Sequence, residues 1–305
     1  MQSTRIIGVL GGMGPAATAD FYQKIIRATP AKGDQDHLKV LIYSNPQIPD
    51  RTAAIQGEGP DPLPALVASA EVLVKAGAAF LVIPCITAHH FYDRLQRAVP
   101  VPILHIIGET ATALAAERPE VRRLGLLATS GTVKTRLFES YFGPRGLTVL
   151  TPDPEVQSGL VMQAIYAVKA GDTSEAPRRL IREAAEHLIL RGAEAVCAGC
   201  TEVPLILQDG DLSVPVVDPT WVLAQAAVHL ALAEDHPLAP VLRAVAGGPQ
   251  VAAARVVPEV HRHDRAAPGR HRGLLPPREQ GGPRLRGGFE QQDPCASTPC
   301  LWPTG

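Results

Sequence analysis

The chain has 305 residues, 46% of them hydrophobic and 19% charged, with a formal charge of −1 at pH 7. That length suits two domains with sizeable cores, the composition excludes a wholly disordered chain, and the near-neutral charge argues against a nucleic-acid partner, whose phosphates call for clustered Lys and Arg. No run nears the roughly 18 to 20 apolar residues of a membrane span, and an odd number of cysteines, five, fits free thiols in a reducing, cytoplasmic setting better than a disulfide framework.

In chain order, hydrophobic periodicity and turn punctuation predict a strand over 6–10, a helix over 16–28, strand 40–43, helix 64–75, strands 79–83 and 103–107, and helix 110–116. Strand 124–127, helix 134–142, strand 147–150, helices 156–170 and 175–190, strands 195–198 and 214–217 and helix 220–233 follow. The first strand runs straight into a glycine loop, where a signal peptide would have an apolar core and a cleavage site. Strands alternating with helices read as α/β, with mostly parallel sheets flanked by helices and function at the carboxyl ends of the strands.

The pattern is written twice. Leu66, Ala70, Glu71, Leu73, Val74, Gly77, Ala78 and Cys85 match Ile181, Ala185, Glu186, Leu188, Ile189, Gly192, Ala193 and Cys200 at an offset of 115. Arg5, Gly8, Val9, Leu10, Gly14, Thr18 and Phe21 match Arg122, Gly125, Leu126, Leu127, Gly131, Thr135 and Phe138 at an offset of 117. Two pseudo-symmetric domains with the active site in the cleft between them are therefore expected: residues 1–105 plus 217–235, and residues 106–216. From 237 to 305 the chain has eleven Pro, nine Gly, nine Arg, no Lys and five acidic residues, a charge of +4. Residues 236–305 read as a low-complexity, disordered tail, either an appendage or the product of an out-of-frame read through a GC-rich gene.

Cys85 and Cys200 each fall where a strand is expected to end and a helix to begin, a place where unpaired N–H groups favour thiolate. Two thiols across one cleft suit a reaction that needs a proton handler on each face of a planar intermediate. One thiolate would take the α-proton of an amino acid and the opposite thiol would supply one, with fixed dipoles holding the developing charge. No pyridoxal phosphate is implied, since no Schiff-base lysine stands in a phosphate-binding context. The Gly12-x-Gly14-x-x-Ala17 spacing nominally matches a dinucleotide fingerprint, but the second strand ends Tyr43-Ser44-Asn45 and lacks the acidic residue that would hold a ribose. That loop, with Met13, is better suited to offering backbone N–H groups to a small carboxylate, with Thr129-Ser130-Gly131 as its counterpart. Cys197-x-x-Cys200 has no second ligand pair at zinc-site spacing, so no metal is expected. Thr87 and Thr201 either donate to the substrate or cap the following turns, and His89 is read as an opening-turn residue that could support the site.

Four blocks, Gly8–Pro15, Asn45–Thr52, Pro84–His89 and Gly199–Glu202, stand in an order that resembles the aspartate/glutamate racemase family over roughly residues 5–235, closest to its cofactor-independent aspartate racemases. The resemblance implies Cys85 and Cys200 as acid and base, Arg51 as the clamp on the substrate's side-chain carboxylate, Lys169 on the same carboxylate, and a homodimer. It also marks a departure: Ile86 stands where the family usually has an asparagine that helps hold the amino-acid head group, which predicts weakened activity on aspartate or a changed substrate. The competing readings are a maleate-type cis–trans isomerase, in which one cysteine adds to carbon, and a small-carboxylate binding protein on a decayed scaffold.

Overall fold

In the computed structural model, which describes residues 5–233, two parallel sheets carry the fold; the tail expected over 236–305 lies outside the described residues. The first half runs β1 (Ile7–Gly11), α1 (Pro15–Ala28), β2 (Val40–Ser44), α2 (Arg51–Gln56), α3 (Leu63–Lys75), β3 (Phe80–Val82), α4 (Tyr92–Ala98) and α5 (Ile106–Glu117). The second runs β4 (Arg123–Leu126), α6 (Ser130–Thr135), α7 (Leu137–Phe142), β5 (Thr148–Leu150), α8 (Pro154–Val156), α9 (Gln163–Lys169), α10 (Glu175–Leu190), β6 (Ala195–Cys197), β7 (Val216–Val217) and α11 (Pro219–Leu232). The sheet orders are β2-β1-β3 and β5-β4-β6-β7, every pair parallel. β1, β3 and β6 are buried throughout, as strands covered by helices on both faces must be.

The duplication is visible in backbone detail. α3 and α10 both end on a glycine at positive φ, Gly77 at 97° and Gly192 at 94°. In each, the next residue's N–H reaches back to the helix, Ala78 to Leu73 O and Ala193 to Leu188 O, both at 3.0 Å, a left-handed cap that glycine adopts without Cβ strain. A Cβ on Gly8 would lie 2.7 Å from that of Ala78, and one on Gly125 3.1 Å from that of Ala193. The paired glycines thus let the central strand of each sheet approach the turn after each cap.

Several expected elements are redrawn. The strand expected over 103–107 is reduced to one bridge, Leu81 to Ile103, and its apolar residues Ile106 and Ile107 open α5 instead. The helix expected over 134–142 breaks into α6 and α7 at Arg136, whose φ is +54°. The helix expected over 156–170 contains a π-helical turn at Gln157–Met162, between α8 and α9. The helix expected to open around His89 begins as a 3-10 turn at Thr87–Phe91 and becomes α-helical only at Tyr92, as α4; α2 has no counterpart in the sequence reading. Among the described residues three apolar clusters fill the interior, and the largest spans both sheets through α1, α5 and α11. Lys24 of α1, buried, pairs with Asp218 at the start of α11 at 2.7 Å.

Candidate active site

Cys85 and Cys200 each stand three residues past their strand, after Val82 of β3 and Cys197 of β6. No α-helix begins at either thiol: a 3-10 turn at Thr87–Phe91 follows the first and one at Val203–Leu205 the second. The two thiols nonetheless line one cleft, together with Met13, Asp50, Arg51, Thr52, Ile86, Thr87, Thr129, Lys169, Thr201 and Glu202. All eight residues expected at the site are thereby brought together, six from the segments after strands at the carboxyl ends of both sheets, with Arg51 from the start of α2 and Lys169 from the end of α9. The cleft is narrow, with a cavity volume of about 20 Å³. Cys197 is wholly buried in β6 and does not line the cleft.

The halves meet closely around the cleft. A Cβ on Gly131 would fall 2.9 Å from Thr52 Cα, so α6 packs against α2 with no room for a side chain. Thr87 from the first half joins Thr129 and Thr132 from the second in a triangle of hydroxyls, with edges of 2.9, 3.0 and 3.1 Å. Thr129 also caps α6 through the Thr132 N–H.

Arg51 is anchored and only partly spent. Nη1 donates to Ile48 O at 3.1 Å and Pro49 O at 3.0 Å, and Nη2 leans toward Met13 O at 3.5 Å. Of five N–H donors, the one on Nε is buried without a partner and one on Nη2 remains. Asp50 fixes the helix that carries Arg51 by accepting from Ala53 N at 2.7 Å.

Lys169, at the end of α9, pairs with Glu202 at 2.7 Å. Glu202 is 3% exposed and accepts from Cys200 Sγ at 2.9 Å and from Thr201 Oγ1 at 3.4 Å. The expectation that both thiols favour thiolate is corrected for Cys200. Burial first, and then the Glu202 carboxylate, push its pKa well above the ordinary thiol value, against a smaller opposing pull from Lys169. Burial works against the Lys169 ammonium, but Cys200, Glu202 and Cys85 outweigh it and hold that pKa above the usual lysine range. Sequence reasoning quoted Glu202 without giving it a role; its signal was a carboxylate two residues after a thiol.

Behind the first thiol, His89 Nδ1 lies 3.0 Å from Cys85 O while Nε2 accepts from Ile106 N at 3.3 Å. Those partners fix the neutral tautomer with its proton on Nδ1. Burial lowers the His89 pKa to about 4. Ile86 is 1% exposed and packs into the largest core while also lining the cleft.

Residues 10–227 match the family described as Asp/Glu/hydantoin racemase. The chain is similar to the broad specificity amino-acid racemase RacX of Bacillus subtilis (strain 168), 29% identical over 234 residues that span 75% of this chain and 99% of that one. Among solved structures it is similar to the aspartate racemase of Picrophilus torridus, with a TM-score of 0.68, 28% identity, and coverage of 74% of this chain and 94% of that one. An aspartate racemase homologue from Pyrococcus horikoshii OT3 matches with a TM-score of 0.59 and 27% identity, covering 75% and 99%.

Proposed function

Because the chain belongs to the Asp/Glu/hydantoin racemase family and is therefore an amino-acid racemase, an isomerase, we propose that it inverts aspartate or a related acidic amino acid without a cofactor, through two opposed thiols. The observation that carries this reading is the lining of one small cleft by Cys85, Cys200 and the partly unspent Arg51. Cys85 as thiolate takes the α-proton, the C–H electron pair stays on a planar α-carbon, and Cys200 delivers its proton to the opposite face. The reverse reaction exchanges the two roles. The free Nε–H and Nη2–H of Arg51 suit a carboxylate gripped by two parallel hydrogen bonds. Met13, Thr87, Thr129 and Thr201 surround the remainder of the substrate, and Lys169 supplies a second cation. A cleft bounded by hydroxyls and fixed charges meets developing negative charge with groups already in place.

The same reading takes residues 1–105 with 217–235, and 106–216, as the two halves that close on the substrate. It also places the protein in the cytoplasm as a homodimer acting on a free amino acid, with no nucleic-acid or membrane partner. Chiral chromatography of L-aspartate after incubation tests it: D-aspartate accumulates with the natural protein and not with Cys85→Ala or Cys200→Ala. Turnover that survives both substitutions sinks the reading.

A further inference from the structure

The duplication that makes the two thiols equivalent in position leaves them unequal in surroundings. Two residues after Cys200 stands Glu202; two residues after Cys85 stands Thr87, whose hydroxyl is engaged by Thr129 and Thr132. Only one thiol therefore has a carboxylate in the position next but one. That carboxylate is nearly inaccessible and has a defined set of partners: Lys169 Nζ at 2.7 Å on Oε1, with Cys200 Sγ at 2.9 Å and Thr201 Oγ1 at 3.4 Å on Oε2. Gly14 closes the site from the other half, since a Cβ there would lie 3.2 Å from Oε1.

We propose that Glu202 keeps the proton on Cys200, so that the resting enzyme is asymmetric, with Cys200 as the acid and Cys85 as the base, and Lys169 balances the carboxylate. The inference rests on the reading of these cysteines as the two proton handlers. An S–H beside a carboxylate is a charge-assisted donor, whereas a thiolate in the same place sets two anions side by side in a low-dielectric site. The titratable and charged groups facing Cys200 are Glu202 on its own segment, Lys169 at the end of α9, Cys85 after β3, and Asp50 and Arg51 at the start of α2.

The consequence for turnover is directional. For the enantiomer whose α-hydrogen faces Cys85, the S–H bond formed on Cys85 and the C–H bond formed from Cys200 balance the two bonds broken. The product complex then holds the Cys200 thiolate against Glu202, opposed by Lys169. Rest is restored when Cys85 releases a proton to water and Cys200 takes one from it. The other enantiomer must meet the less favoured form, with the proton on Cys85.

The test measures iodoacetamide alkylation of each cysteine against pH in the full-length protein, resolved by peptide mass spectrometry. In Glu202→Gln the midpoint for Cys200 falls by about 1 to 3 pH units, the shift expected on removing a neighbouring like charge, while the midpoint for Cys85 moves less. The basic limb of the kcat/KM profile, which reports the free enzyme's thiol pair, moves down with it. Glu202→Asp, which withdraws the carboxylate by one methylene, gives an intermediate Cys200 midpoint and carries the test if the glutamine variant does not fold. A Cys200 midpoint that stays put or rises in the folded variants overturns the proposal. Racemisation is not needed for the alkylation readout, so an inactive protein whose Cys200 midpoint shifts as stated would count against the proposed reaction and not against the hold of Glu202 on Cys200.

Discussion

Arg51→Lys separates charge from geometry. The native guanidinium uses both Nη1 donors and one Nη2 donor on backbone carbonyls, leaving Nε–H and one Nη2–H unspent. Lysine keeps the charge but has only three donors, too few to serve those carbonyls and grip a carboxylate in a pair as well. With charge-assisted hydrogen bonds worth about 1.5 to 3 kcal/mol each and the lysine charge still attracting the carboxylate, loss of the paired grip on a side-chain carboxylate costs about 2 to 4 kcal/mol. At about 1.4 kcal/mol per tenfold, kcat/KM for aspartate falls by about 30- to 700-fold. Slackening of the Ile48–Pro49 turn affects every substrate alike, so the decisive quantity is the ratio between aspartate and a neutral amino acid that the enzyme accepts. Initial rates by chiral chromatography give both numbers. A loss of the same size on the two substrates would refute the assignment, because Arg51 would then act through the fold alone.

Ile86→Asn restores amide donors to the cleft while removing a branched side chain from the core. The expected outcome is a higher kcat/KM for aspartate together with a stability loss of about 2 to 4 kcal/mol in urea, from lost burial and a buried amide; a lower kcat/KM would show that Ile86 does not limit activity on aspartate. His89 gives a pH signature. Its folded pKa of about 4 lies below the unfolded value, so between pH 6.5 and 4 the unfolded chain binds a proton that the folded chain refuses, and stability falls as the pH falls. That single group accounts for about 3 kcal/mol over the window, and His105, lowered to about 2 by burial and its neighbour His89, adds in the same direction. Urea titrations at pH 7 and 4.5 should show the natural protein losing about 2 to 3 kcal/mol more than His89→Gln. Equal losses would mean that His89 is not buried in its neutral form.

The sheets were legible because their strands are short apolar runs punctuated by glycine or proline, and the duplication located equivalent thiols without any structure. Where the reading failed, the cause was local. Ile103, Leu104, Ile106 and Ile107 form an apolar, β-branched run that suits a strand, yet Ile106 and Ile107 are the buried face of α5, whose N-terminus is capped by His105, an unusual cap, accepting from Gly108 N. The six-residue α2 is too short to show a helical period, though Asp50 is an ordinary N-cap. The expected thiolate preference ignored what covers each thiol: at Cys200 there is no α-helix to help, and burial beside Glu202 dominates. Glu202 had a signal, its place two residues after a thiol, but its partner Lys169, 33 positions away and meeting it at 2.7 Å, was visible only in the fold.

Inversion in this protein requires two separate proton carriers on opposite faces of one carbon. Racemisation of L-aspartate in deuterated water, sampled at low conversion with α-deuterium measured separately in the two enantiomers, tests this most directly. Deuterium should appear in the D-aspartate formed while the remaining L-aspartate keeps its protium, because the group that removes the proton is not the one that replaces it. Deuterium entering both enantiomers equally from the start would contradict the account, since one group would then be serving both faces.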